Sequence, residues 1–155
     1  MELERIGIIP LPLDRPSWME KGSLIPTPVR LEAGLLRLFV TFKGNDGLGR
    51  VGYYDLRESN LLDIVNYSQV PLLDIGYPGT FDDNGVLLCS VVNRVNAPDL
   101  FFYAGFEITS KVRYKIFTGL AEGNMFTPVI KRKRSVPILD RIEGESQIRG
   151  GPFCF

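Results

Sequence analysis

One five-residue pattern occurs twice: Val70-Pro71-Leu72-Leu73-Asp74 returns as Val136-Pro137-Ile138-Leu139-Asp140, about 66 positions later. A second echo, Leu38-Phe39-Val40 with Leu100-Phe101-Phe102, lies about 62 positions apart, and each copy precedes another aromatic, Phe42 or Phe106. The residues between the copies lack helical periodicity. Short apolar and aromatic runs are broken by Gly, Asn, Asp and Pro, which is the pattern of an all-β chain. Strands are expected over 27–32, 35–42, 49–56, 85–94, 99–106, 112–121, 127–131 and 147–155. Gly44, Asn45, Asp46 and Gly47 supply the positive-φ chemistry of the turn between the second and third. Each unit thus reads as three longer strands, a short fourth one and a proline-containing crossing into the next.

A four-stranded unit of this length has the form of a β-propeller blade. The expected layout is one all-β domain over 1–155, with a first blade at about 26–72, a second at about 83–138 and the first strand of a third from about 147. Two stacked meanders in a sandwich are the alternative, although a sandwich would usually use shorter connections than the VPxLD crossing. Two blades and a strand cannot close a ring of four or more. The apolar stretch Gly151-Pro152-Phe153-Cys154-Phe155 would also leave an open sheet edge. The expectation is a longer natural protein or a homo-oligomer, in which two copies would supply about four to five blades.

Composition narrows the chemistry. Among 155 residues, 18 Lys+Arg balance 18 Asp+Glu, and the pI is near 6.3, so the electrostatic drive toward nucleic acid or an anionic membrane is absent. Neither is expected as a partner. The chain has no His, which removes Ser-His-Asp and Cys-His activation and imidazole-dependent metal sites. Acid–base chemistry would fall to carboxylates, Lys, Tyr or Cys. Cys89 and Cys154 are too far apart for a CxxC motif and read as reduced, buried thiols. No metal site or cofactor is expected. The N-terminal apolar stretch holds Pro10 and Pro12 and follows acidic residues, unlike a signal peptide, and no run approaches a membrane span. The expected location is the cytoplasm.

The stretch GTFDDNGVLLCSVV (79–92), with LIPTPVRL (24–31) before it and FYAGFEITSKVRYKIFTGLA (102–121) and PILDR (137–141) after it, carries a family resemblance. The chain resembles the five-bladed β-propeller proteins related to glycoside hydrolase families 43, 32 and 130. It looks closest to the glycosidase-like proteins of bacterial surface-polysaccharide gene clusters. The resemblance runs from about residue 20 to the end and covers the first half of a family member, PGTFDDNG being its specific part. It implies that the first strand of each blade lines a central tunnel and that substrate sits in a funnel near Thr27, Asp83 and Gly150. Family-43 hydrolysis uses an Asp base, an Asp that tunes the acid, and a Glu acid, with base and acid about 6.5–9.5 Å apart in the inverting form. Thr27 stands where the base belongs and Gly150 where the acid belongs, whereas the middle carboxylate falls on or beside Asp83. Asp83 is therefore the first catalytic candidate and Glu145 the second, with Glu143 and Asp14 as further carboxylates near the funnel.

The other candidates are substrate contacts. Asp82 and Asn84 flank Asp83 in a sequence that also fits an Asx turn. Arg30 and Arg37 belong either to the funnel or, more simply, to the outward faces of strands. Glu107, Lys111, Arg113, Tyr114 and Lys115 lie in or after a hairpin loop and could form a rim for sugar or sugar phosphate. Arg149 offers a guanidinium fork for an anion or for sugar hydroxyls. The run Lys131-Arg132-Lys133-Arg134 reads as a solvated turn, with phosphate contact the lesser alternative. Trp18 is expected to close a hydrophobic end of the domain, with stacking on a sugar face the alternative. These residues together lead to the expectation of a carbohydrate-active or carbohydrate-binding, glycosidase-like propeller with a carbohydrate or sugar-phosphate ligand. The alternatives are a non-catalytic glycan-binding or assembly module, or a fragment without independent function.

Overall fold

The structure, a computed structural model, describes residues 4–154, and apart from one turn of 3-10 helix at Ser17–Met19 its regular elements are all strands. Strands β1 (Gly22–Arg30), β2 (Leu35–Lys43), β3 (Gly49–Arg57) and β4 (Asn60–Tyr67) form one antiparallel meander. Strands β5 (Val86–Val92), β6 (Asp99–Ile108), β7 (Tyr114–Asn124) and β8 (Val129–Arg132) form the second. A two-residue strand, β9 (Ile148–Arg149), runs parallel to β7.

Two sequence expectations need correction. The fourth strand of the first unit spans eight residues, yet Asp63 and Asn66 gave it no apolar run by which to place it. The strand expected over 147–155 shrinks to Ile148–Arg149, because Gly151 adopts φ 81° and interrupts the ladder; Phe155 lies outside the described residues.

The VPxLD repeat is structurally real. Leu73 bridges to Val51 on β3, and Leu139 bridges to Thr118 on β7. In each case the preceding residue donates its N–H at 2.8 Å to the carbonyl of the third strand, Leu72 to Val51 and Ile138 to Thr118. These anchors fix the correspondence between units. Val51 pairs with Thr41 and Thr118 with Ala104, so Thr41 matches Ala104 and, two residues earlier, Phe39 matches Phe102. The letter match of Phe39 with Phe101 is one residue out of register, and a one-residue slip on a strand reverses the face. Phe39 and Phe101 meet instead across the sheets, edge to face at 5.5 Å.

Between the sheets lies one hydrophobic cluster that includes Phe39, Val51, Leu73, Val86, Leu88, Phe101, Tyr103 and Phe117. Each fully buried large side chain there contributes about 1.5–3 kcal/mol relative to exposure. The opposite face of the first sheet carries Val40, Phe42, Tyr54 and Leu56, covered by Ile9, Leu11, Trp18 and Met19 of the N-terminal segment. Trp18 packs edge-on against Phe42 and donates its indole N–H to the Gln69 carbonyl. Both faces of this sheet are therefore covered. The second sheet is covered fully on one face only. On its outer face Phe102, Phe106, Ile116 and Leu120 stay half-buried, and Gly150 of the segment after β9 rests against Ile116.

Arg37, expected most simply on an outward face, is buried between the sheets at 4% exposure. Its guanidinium grips Asp55 through two bonds of 2.7 and 2.8 Å and donates to the carbonyls of Met125 and Phe126 across the interface. A fork that fits a carboxylate and two carbonyls makes burial of this charge tolerable. The cysteines are free, as expected, but half-buried where full burial was expected; burial raises the Cys89 thiol above its ordinary pKa and keeps it protonated.

Candidate functional site

Only some of the functional candidates lie near the end where β1 and β5 begin. Leu24 and Lys43 of the first sheet share a small cavity of about 130 Å³ with Asn84, Gly85, Phe106 and Tyr114 of the second. The connection 74–85 crosses here toward β5. The ladder of β1 breaks between Leu24 and Thr27, where Ile25 takes φ 46°, an uncommon conformation for a β-branched residue. Pro26 falls within this break, and both it and Pro28 are tolerated because β1 is an edge strand.

Asp83 closes the turn before β5. Its carboxylate accepts the Gly79 N–H at 2.8 Å and a bond from the Asn84 side-chain amide, and its own N–H donates to the Thr80 carbonyl. Asn84 is further tied by its N–H to the Phe106 carbonyl. The carboxylate thus reaches four residues back along the turn instead of two residues forward as in the expected Asx turn, and both of its oxygens are engaged. Asp82, expected as a substrate contact, is instead 1% exposed. It accepts from Thr80 Oγ1 at 2.9 Å, Tyr103 Oη at 3.1 Å and Arg132 Nε at 2.7 Å. Burial, followed by the nearby Asp82 charge, pushes the Tyr103 hydroxyl well above its usual pKa, so it remains a donor.

The positions flanking Asp83 in the family pattern are now placed. Thr27 is half-buried on β1 opposite Phe39. Gly150 rests on the second sheet so closely that a Cβ there would stand 2.6 Å from Ile116 Cγ2. Glu145, on the exposed turn closed by the Ile142–Glu145 bridge, is held by Arg149 Nε at 2.7 Å. Asp83 and Glu145 thus belong to separate turns, each with its own partners, and neither lines the two clefts described below. Arg149 also donates to the Asp140 carbonyl, so its guanidinium braces the second connection.

Several candidates lie elsewhere. Arg30 is at the far end of β1, paired with Glu58 at 2.6 Å and open to solvent, and does not approach the funnel end. Asp14 accepts from Tyr67 Oη at 2.7 Å on the outermost strand of the first sheet, away from the inner strands. Lys111 and Arg113 are exposed on the β6–β7 hairpin, Arg113 lying 5.4 Å over the Tyr114 ring. Glu143 is exposed.

Two clefts open beside the connections. One, of about 480 Å³, has Thr80, Phe81, Glu107, Pro137, Asp140 and Arg141 in its wall, with Arg141 paired to Glu107 at 3.0 Å. The other, of about 550 Å³, includes Asp74, Tyr77, Thr80, Arg132, Arg134 and Ser135. Thr80 and Ser135 border both. Sequence reasoning found Glu107 but missed Tyr77, Thr80 and Arg141. The available signal was Gly76-Tyr77-Pro78-Gly79, a turn that presents an aromatic ring with nothing apolar around it to bury against. Among the described residues, no three His, Cys, Asp or Glu side chains gather as a metal site would require. Among the described residues no helix is long and apolar enough to cross a membrane.

No family model matches the chain. It is similar to two uncharacterized proteins of Mycobacterium tuberculosis, from strains CDC 1551 / Oshkosh and ATCC 25618 / H37Rv, each 27% identical over 141 residues. The match takes in 90% of this chain and 46% of either relative, so the chain spans about half the length of the curated relatives it matches.

Proposed function

We propose that this chain is a carbohydrate-binding part of a glycosidase-like β-propeller, holding a glycan at the end where β1 and β5 begin and leaving its bonds intact. The observation that carries the reading is the state of the three family positions. Thr27 and Gly150 offer no carboxylate, and the two oxygens of Asp83 are engaged by Gly79 and Asn84. General acid–base cleavage needs one free carboxylate and one carboxylic acid on opposite sides of a bond. The propeller reading itself is supported by the matched VPxLD bridges and by the 148–154 segment. That segment lies over the second sheet much as β5 lies over the first. Such a ring would be completed by further units of the same kind, from a second copy or from a longer chain, and the setting would be cytoplasmic polysaccharide metabolism.

The test has two arms. A neutral-glycan array should show binding, and aryl glycosides should stay uncleaved. Thr27→Asp combined with Gly150→Glu should not raise turnover, since a side chain at position 150 collides with Ile116. A second reading, hydrolysis through Asp83 with Glu145, is favoured by the position of Asp83 at the start of the inner strand β5. Measurable turnover that disappears in Asp83→Asn, with the fold retained, would establish it and overturn the binding-only proposal.

A further inference from the structure

The cleft that Tyr77 and Arg134 help to line combines an anchored cation, an unpaired cation and an exposed ring. Buried Asp82 is the anchor. With Thr80 and Tyr103 already bound to it, it fixes Arg132 through Nε, while Arg132 Nη2 donates to the Asp74 carbonyl. Arg132 Nη1 makes no hydrogen bond among the described residues, so one face of an immobilised guanidinium stays available. A donor held in place before binding loses little freedom on binding.

The local charges resolve to a single excess. Asp82 is matched by Arg132, Asp74 by Arg50 at 2.8 Å, and Lys133 by Glu122 at 2.6 Å. Arg134, exposed in the same wall, has no ion pair or hydrogen bond among the described residues. Tyr77 is 87% exposed with its hydroxyl unpaired, and the Ser135 hydroxyl is likewise without a partner among the described residues. A ring for the apolar face of a sugar, hydroxyls for its own hydroxyls and one uncompensated positive charge describe the complement of a sugar carrying one acidic group.

Building on the carbohydrate reading above, the geometry points to this cleft as the binding site of an acidic sugar, one bearing a carboxylate or a phosphate. The ring lies on Tyr77, and the acidic group is taken between Arg134 and the free side of Arg132. Titration calorimetry with glucuronic acid, glucose 6-phosphate, glucose and inorganic phosphate separates the contributions. At least one acidic sugar should bind about tenfold more tightly than glucose, and which of the two does so identifies the acidic group. Arg134→Ala should bring that affinity down to the level of glucose. Tyr77→Ala should weaken the sugars about tenfold and leave inorganic phosphate unchanged. Both side chains are exposed, so an unchanged melting temperature verifies the fold.

Equal affinity for glucose and the acidic sugars would overturn the inference, as would indifference to Arg134→Ala or inorganic phosphate binding as well as glucose 6-phosphate. If none of the four probes binds, the site is refuted. The neutral-glycan array reports separately: binding there preserves the carbohydrate reading without this site, and silence there removes both.

Discussion

The two VPxLD connections begin with the same residues and end in opposite environments. In the first, Leu73 is 3% exposed, Phe81 6% and Asp82 1%, and the segment is wedged between two sheets. In the second, Leu139 is 41% exposed, and every residue from 139 to 148 is open to solvent. The local hydrogen bonds are alike, one bridge to the third strand in each case. The motif therefore directs the chain along its own sheet, whereas burial depends on whether another sheet stands on the other side.

That contrast can be broken most forcefully at Asp82. Asp82→Ala leaves Arg132 without its carboxylate and Tyr103 without its acceptor, and should cost about 3–5 kcal/mol in denaturant unfolding. Glu145→Ala, in the exposed connection, should change stability by less than about 0.5 kcal/mol. Next in size, Leu73→Ala should cost about 2–5 kcal/mol by opening a cavity. The equivalent Leu139→Ala should cost under about 1 kcal/mol, and equal losses would mean that the second connection is also buried in solution.

Smaller effects refine the comparison at two buried tyrosines. Tyr103→Phe removes a bond to a charged acceptor and should cost about 1.5–3 kcal/mol. The Tyr54 hydroxyl in the first sheet is buried without a partner among the described residues, and burial pushes its pKa up to about 12. Tyr54→Phe should be neutral or stabilising by thermal melt.

The smallest effect concerns acid. Arg50 holds the Asp46 carboxyl below its ordinary pKa of 3.8 through a side-chain hydrogen bond. Since the folded pKa is the lower one, this contribution is full above the unfolded pKa. It fades as pH falls through about 4 toward the folded value. Arg50→Gln should flatten that part of the stability profile, and an unchanged acid limb would show that the pair is not formed in solution.

Strand positions were largely legible because alternation and turn residues act locally. What sequence could not show was long-range. Arg37 reads as a strand-surface residue until Asp55 and two carbonyls from residues 125 and 126 converge on it. Asp82 and Asp83 are neighbours with the same chemistry, yet the turn at 81–84 aims one inward at Tyr103 and leaves the other to close the turn on Gly79. The repeat was found by letters, but its register was not. Phenylalanines occur at 101 and at 102, and only the bridges at Leu73 and Leu139 decide between them. The charge of the β6–β7 hairpin pointed to Lys111 and Arg113, which line neither cleft, whereas the Tyr77 cleft depends on two segments about fifty residues apart that no local pattern joins.

The cover that Ile9, Leu11, Trp18 and Met19 place over the first sheet gives the pair of units a direction. One face of the first sheet is thus sealed by the chain's own segment, in the manner of a cap on a stacked array. Joining a sheet to the capped flank would first require displacement of Trp18 from Phe42. Any sheet that packs on this flank therefore competes with the cap, and tryptophan fluorescence would register the exchange.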